Sequence, residues 1–377
     1  MFYKSKKVVS LSLAVALITT SISGCSSNTE TDSKNVPKQE QQESKTRIIK
    51  DMAGREVEVP KEIKKAHPAF YIANVAMYTI NPNKMAGKTF DVKESERKYL
   101  KEEYSNLPTL GTFMHGKDGN EEEILKVNPD AIIYMGNLNE NLIKEADENQ
   151  EKLGIPIILV DGRLQSIPES YKFLGELLNE KERGEELAQY CKKVLDETKD
   201  IASKIPEEKR VKVYCALGQD GLTTDPSGSI HAEIIDLVGG INAADVKSKE
   251  NYDRTEVSPE QILAWNPEKI ILHKQESLDN QGEESLYEKL LKDSRWSSIK
   301  AIKENQVYEI PCLPFNWYDM PPSVNRIMGI KWLDNLLYPE EFKYDIKAET
   351  KEFYEKFYDY KLIDKNLDEI LKNSISK

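Results

Sequence analysis

Residues 122–133 read EEILKVNPDAII, and residues 260–271 read EQILAWNPEKII. The second copy follows the first at an offset of 260 − 122 = 138 residues, and Glu, Ile, Leu, Asn, Pro, Ile and Ile recur at matching positions. Solenoid repeats have periods of roughly 20–50 residues, so a separation this long predicts equivalent elements in two similar lobes. The local chemistry repeats as well. Asn120 and Ser258 stand as helix N-caps, with Glu123 and Gln261 three residues later, as a capping box requires. Pro259 takes the first helical position, where its missing N–H costs nothing. Each Asn-Pro pair closes the helix, and Asp130-Ala-Ile-Ile or Glu268-Lys-Ile-Ile opens a strand.

Outward from the repeat, apolar strand-like segments recur at 132–135, 155–160, 211–217, 270–273 and 307–310. Helical patterns separate them, which predicts parallel sheets with crossover helices. Residues 51–60 (DMAGREVEVP) read as two short alternating strands around an Ala-Gly turn. Residues 181–205 lack Pro and contain one Gly, Gly184, and Leu187, Cys191, Val194, Thr198, Ile201 and Ile205 form an apolar stripe at helical spacing. Some 25 residues at about 1.5 Å each span roughly 37 Å, enough to link two lobes as a stiff hinge. The expected class is α/β: two Rossmann-like lobes with central parallel sheets, joined by a single long α-helix.

The N-terminus carries an address. Lys4, Lys6 and Lys7 precede the apolar run 8–18, and Ile22-Ser23-Gly24-Cys25 follows. A charged start, a short apolar run and small residues at a cleavage point form a secretory signal too short to span a membrane stably. A cysteine directly after Gly24 resembles the bacterial lipobox, in which that Cys is lipidated. Residues 26–45 are almost wholly polar and predict a flexible tether. The expected organisation is a lipoprotein signal peptide (1–24), an anchored tether (25–46), an N-terminal lobe (47–180), a linking helix (181–206) and a C-terminal lobe (207–377). The net charge of −12 falls to −15 without residues 1–24, because 53 basic residues become 50 against 65 acids. That acidity argues against nucleic acid and against a polybasic membrane patch. Cys191, Cys215 and Cys312 are widely spaced and fit neither a disulfide framework nor a zinc knuckle.

These features together resemble the class III substrate-binding proteins of bacterial ABC importers, which bind iron–siderophore, haem and cobalamin. The resemblance covers essentially the whole mature chain. It rests on Asp51-x-x-Gly54-Arg55-x-Val57-x-Val59-Pro60, the paired Asn-Pro-Asp/Glu-x-Ile-Ile segments, residues 221–240 (GLTTDPSGSIHAEIIDLVGG) and residues 296–311 (WSSIKAIKENQVYEIP). Residues 314–323 (PFNWYDMPPS) resemble the subset that receives iron or metal chelates. The resemblance implies a monomeric receptor, lipid-anchored at Cys25 on the outer face of the membrane, that works with an ABC permease dimer and its ATPase. It implies that Glu122 and Glu260 dock on permease arginines, where charge sets register more than affinity. As plain chemistry, both would also stabilise their helix starts. No resident cofactor is implied. The ligand is expected to be an iron chelate, with cobalamin, haem or a bare metal or oxyanion as alternatives.

In open α/β sheets ligands sit outside the carboxyl ends of the strands. The loops expected there supply Tyr71, Phe90, Phe113, His115, Asn137, Asp220, His231 and His273 as cleft candidates. Phe315 and Trp317 complete the aromatic wall, which suits a chelate or macrocycle. Arg163 is the best candidate for an anionic group, with Arg254 and Arg326 behind it. His115, His231 and His273 could form a direct metal site through neutral imidazoles, or be ordinary loop polars. His67 lies within an apolar strand and reads as structural. Gly-x-Ser-x-Gly, His-Glu-x-x-His and phosphate-binding Gly-rich motifs are absent from the sequence, which leaves an extracellular lipoprotein hydrolase with little support.

Overall fold

The computed structural model describes residues 44–114, 119–246, 254–273 and 284–376. The signal segment 1–24, Cys25, the tether up to residue 43 and His115 lie outside the described residues. The chain opens with an antiparallel hairpin of β1 (Thr46–Lys50) and β2 (Glu56–Pro60). The first strand therefore precedes the Asp51 turn instead of beginning at it. The reason is local: Asp51 Oδ1 accepts the N–H groups of Ala53 (3.1 Å) and Arg55 (2.9 Å), closing a turn where a strand was expected.

The first half forms a parallel sheet in the order β3-β4-β5, from β3 (Ala66–Pro68), β4 (Ala131–Gly136) and β5 (Ile157–Asp161). The second half contributes β6 (Lys212–Ala216), β8 (Ile241–Asn242), β10 (Lys269–Leu272) and β11 (Val307–Glu309). They form a parallel sheet in the order β11-β10-β6-β8. A small antiparallel pair, β7 (Thr223–Thr224) and β9 (Thr255–Glu256), stands beside it. Strands β4 and β10, the two repeat copies, each lie between two neighbours.

The repeat acts as a strand staple. The helices Glu121–Val127 and Pro259–Trp265 end on Asn128 and Asn266, both left-handed at φ 49° and 45°, a conformation Asn tolerates better than most residues. The acid after each proline then grips the neighbouring strand. Asp130 N–H donates to Lys65 O at 2.8 Å, and Asp130 Oδ2 accepts from Lys64 and Lys65 N–H. Glu268 N–H donates to Lys212 O at 2.8 Å, and Glu268 Oε1 accepts from Lys212 N–H. The N-caps form as expected, though only Ser258 with Gln261 completes a reciprocal box; Asn120 caps Glu123 N–H alone.

Side chains alternate between faces along each strand. Ile133, Met135, Ile158 and Val160 face inward, while Ile132, Tyr134, Ile157 and Leu159 pack in an outer cluster. In the second sheet Val213, Cys215 and Ile271 face inward, and Tyr214, Ala216, Ile270 and Leu272 face outward. The inward faces join one apolar cluster that also contains Leu187, Cys191 and Val194 of the helix Lys181–Ala202. That helix ends three residues short of Ile205. Gly184 is where it meets the helix Ile167–Leu177: a Cβ there would lie 2.7 Å from Gly175 Cα and 2.6 Å from Tyr171 O. The helix Asn325–Leu337 is buried nearly all round, and Thr198 Oγ1 donates to its Asp334 at 2.7 Å. Cys191, Cys215 and Cys312 are buried and form no disulfide among the described residues.

Candidate functional site

A cavity of about 770 Å³ opens where the loops after β3, β6, β10 and β11 converge, the position expected for a ligand in parallel α/β sheets. Its wall combines residues from both halves. Tyr71 opens the helix Tyr71–Ile80, and its ring lies 5.9 Å from Phe90. Phe90 in turn meets Phe315 edge-on at 6.0 Å, an aromatic contact between the two halves of the chain. Leu217, Cys312, Pro314 and Met320 extend the apolar lining.

Opposite the aromatics lies a charged floor. Arg254 donates through Nε to Asp225 Oδ1 at 3.0 Å and through NH2 to Asp319 Oδ2 at 2.9 Å. Both carboxylates are buried, and burial of an unpaired charge is costly. His231 Nδ1 lies 2.9 Å from Asp319 Oδ2 in a close ion-pair contact. Burial alone would lower the His231 pKa; Asp319 and Asp225 reverse this and hold it above the ordinary imidazole value. Burial would raise Asp319, and His231 with Arg326 and His273 keeps it below the carboxylate norm. Burial lowers His273 to about 4, with Arg254 and His231 working the same way against Asp319. At neutral pH its imidazole is therefore neutral.

The turn that shapes this wall comes from one side chain. Asn316 Oδ1 accepts the N–H groups of Tyr318 (2.8 Å) and Asp319 (3.1 Å), a local turn typical of Asn. Phe315 and Asp319 thereby line the cavity, while Trp317 and Tyr318 enter the core. Behind them Gly329 makes the close approach possible, since a Cβ there would stand 1.8 Å from Trp317 O.

Among the expected cleft residues, Tyr71, Phe90, His231, His273 and Phe315 line the cavity. Phe113, Asn137, Arg163, Asp220 and Trp317 do not. Phe113 is buried in the outer cluster of the first sheet, and Trp317 is buried in the central core. Arg163 folds back on Asp161 at the end of β5, bonding it through Nε at 3.0 and 2.9 Å. Asp220 caps Leu222 N–H in its own turn at 3.1 Å, and Asn137 is exposed after β4. Arg326 pairs with Glu233 and donates to Ile230 O, away from the cavity lining. Arg254, expected behind Arg163, also lines the cavity, as do Asp319, Asp91, Lys93 and Glu96. Of these, Asp319 sat inside the segment 314–323 already marked by its resemblance, where Trp317 drew the choice instead.

Glu122 and Glu260 are both exposed at helix starts. Glu121 pairs with Lys152 and Glu123 with Lys126, whereas no ion-pair partner of Glu122 occurs among the described residues. Hydrogen bonding by its own backbone and by Ser258 lowers the Glu260 pKa, so it is anionic at neutral pH.

Two lobes of parallel sheet and a cavity at their strand ends define the class of a solute-binding protein. The chain belongs to the periplasmic binding protein family, whose pattern matches residues 84–312. An ABC transporter solute-binding protein from Sulfurospirillum deleyianum has a similar structure, with a TM-score of 0.78 and 29% identity over 86% of this chain and 99% of that one. The molybdate-binding protein MolA of Haemophilus influenzae is 25% identical over 344 residues, 83% of this chain and 91% of MolA. The high-affinity heme uptake system protein IsdE of Staphylococcus aureus is 24% identical over 66% of this chain and 80% of IsdE. The chain is thus a solute-binding receptor of an ABC importer, carrying a transported ligand and not a cofactor, and it is not an enzyme. Its family is extracytoplasmic. Among the described residues, no helix is long and apolar enough to cross a membrane.

Proposed function

We propose that this receptor captures a compact metal chelate, an iron complex first among them, and hands it to its permease. The observation that carries this reading is the pairing of an aromatic wall with a charge-balanced floor. A volume of about 770 Å³ lies within the range of about 300–1,000 Å³ that holds organic ligands and exceeds what a bare ion needs. Lys93, Arg254 and His231 face Asp91, Glu96 and Asp319, with Asp225 directly behind. Lys93 and Arg254, even joined by a protonated His231, face four carboxylates and offer no surplus for a dianion, although MolA is named for molybdate. Tyr71, Phe90 and Phe315 suit the flat periphery of a chelate or macrocycle, and haem, which the name of IsdE carries, is the second reading this wall supports.

In the same reading, residues 47–180 and 207–377 are the two lobes, and residues 181–206 link them. The shared apolar core around that helix restricts closure to a modest movement. Cys25 anchors the mature chain by lipid, and Glu122 and Glu260 meet basic residues of the two permease subunits. The deciding experiment is mass spectrometry with metal analysis of ligand retained by natively purified protein, followed by thermal shift. Ligand at about 100 times its Kd stabilises by about 2.7 kcal/mol. A melting shift with molybdate, and none with ferric chelates, haem or corrinoids, would overturn the reading.

A further inference from the structure

At the cavity floor, His273 and Asp225 come together with Cys215, which lies behind them in the core. Cys215 sits in β6, paired with Ile271 of β10; Asp225 follows β7, and His273 directly follows β10. Each offers one ligand atom, and the three atoms lie within 4.8 Å of one another. We propose that Cys215, Asp225 and His273 bind one borderline divalent transition-metal ion of the zinc class.

Three observations carry this. First, the donor set is chemically apt: a thiolate, an imidazole and a carboxylate suit Zn2+, Co2+ or Ni2+, not the all-oxygen shells of Ca2+ or Mg2+. Second, two of the three donors are buried and carry unpartnered atoms. Both ring nitrogens of His273 and Oδ2 of Asp225 make no hydrogen bond among the described residues, although His273 is 5% and Asp225 0% exposed. Buried polar atoms in native proteins nearly always have partners, so orphans that converge on one point call for a guest. Packing accounts for only part of His273: its ring meets Tyr318 edge-on at 5.5 Å, which satisfies neither nitrogen. Third, the spacing is close to what is needed. Tetrahedral zinc bonds of about 2.0–2.3 Å place ligand atoms roughly 3.3–3.8 Å apart, a contraction of about an ångström.

The Asp225 and Asp319 carboxylates and a Cys215 thiolate offset the positive charge that Arg254, His231 and a divalent ion bring together here. Burial holds the free thiol protonated, so metal binding breaks the Cys215 S–H bond, forms the S–metal bond and releases the proton to solvent. No electron is transferred. Three protein ligands leave a fourth position for water or for a donor of the solute.

The site is independent of which chelate the cavity takes, and the test uses no chelate. Untagged mature protein, stripped with a chelator and desalted, is titrated with Zn2+ and Co2+. One equivalent of each is expected to bind, and Co2+ is expected to produce an intense near-ultraviolet thiolate-to-cobalt charge-transfer band. Cys215→Ser should abolish the band and weaken Zn2+ binding at least tenfold, whereas Cys191→Ser, in the linking helix, should change neither. Absence of the band from wild-type protein overturns the proposal, and so does a band that survives Cys215→Ser. The wild-type spectrum is decisive even if a variant fails to fold. Phe90→Ala, which tests the cavity, should leave the cobalt band intact, so failure of the chelate reading stays distinguishable.

Discussion

His67 makes the fold sensitive to acid in a way that can be calculated. It lies in β3, wholly buried, with neither ring nitrogen hydrogen-bonded. Burial lowers its pKa from 6.5 to about 4, so the folded state resists a proton that the unfolded chain accepts. For a group with a depressed folded pKa, the stabilising contribution is full above the unfolded value and is lost as pH falls toward the folded one. The window is therefore from about pH 6.5 down to about pH 4. At 1.36 kcal/mol per pKa unit, the total loss is about 3 kcal/mol, and about 2 kcal/mol of it falls between pH 7 and pH 5. The assay is urea unfolding of wild type and His67→Leu at both pH values, comparing the pH-induced change and not the absolute stabilities. The variant should lose about 2 kcal/mol less than wild type on going from pH 7 to pH 5. Equal losses in the two proteins would refute the reasoning, because His67 would then titrate alike in the folded and unfolded chains.

Arg254→Ala strips the cation from two buried carboxylates and should cost about 3 kcal/mol, seen as a melting-point drop of about 4 °C in a chain of roughly 330 folded residues. Combined with Asp319→Asn, the loss should be clearly less than additive. Gly184→Ala forces a Cβ to within 2.7 Å of Gly175 Cα and should destabilise by about 1–3 kcal/mol, again read by thermal melting. Phe90→Ala should weaken chelate binding roughly tenfold in a fluorescence titration while leaving the melting point of free protein nearly unchanged. Charge reversal at both Glu122 and Glu260 should abolish uptake by cells with ligand affinity intact; an equal fall in affinity would place these residues in the cavity or in folding.

The strands and the long helix were legible because their signals are local. The continuous apolar runs around Ile132–Ile133 and Ile270–Ile271, and the stripe through Leu187, Cys191 and Val194, report burial directly from sequence. The helix end was not, because Ile205 remains buried after the chain has left the helix; burial and helicity part company there. Site residues were legible only to the level of the loop. Phe315 and Trp317 look interchangeable in a list of aromatics, yet the Asn316 turn points one into the cavity and the other into the core. Arg163 was chosen for its place after a strand, but Asp161 two residues earlier captures it. Arg254 ranks behind Arg163 in the sequence because its partners, Asp225 and Asp319, lie 29 and 65 residues away, and no local pattern encodes such a meeting.

The repeat also bears on how far such a receptor can move. Each staple ties the end of a short helix to the edge of a strand whose far end opens on the cavity: Asp130 holds the approach to β3, and Glu268 holds β6. A force applied at Glu122 or Glu260 would therefore reach the floor through a short helix and one strand. Between the two sheets, however, the inward faces and the linking helix form one continuous apolar cluster. Wide separation of the lobes would expose that cluster to water at roughly 25 cal/mol for each Å² uncovered, so a gap of only a few hundred Å² already costs several kcal/mol. A docking contact between surface charges, worth about 1 kcal/mol or less for each exposed pair, cannot supply that. For the proposed delivery to a permease, rearrangement of the cavity loops, above all the Phe90–Phe315 contact that crosses the cleft, therefore costs less than a large swing of whole lobes.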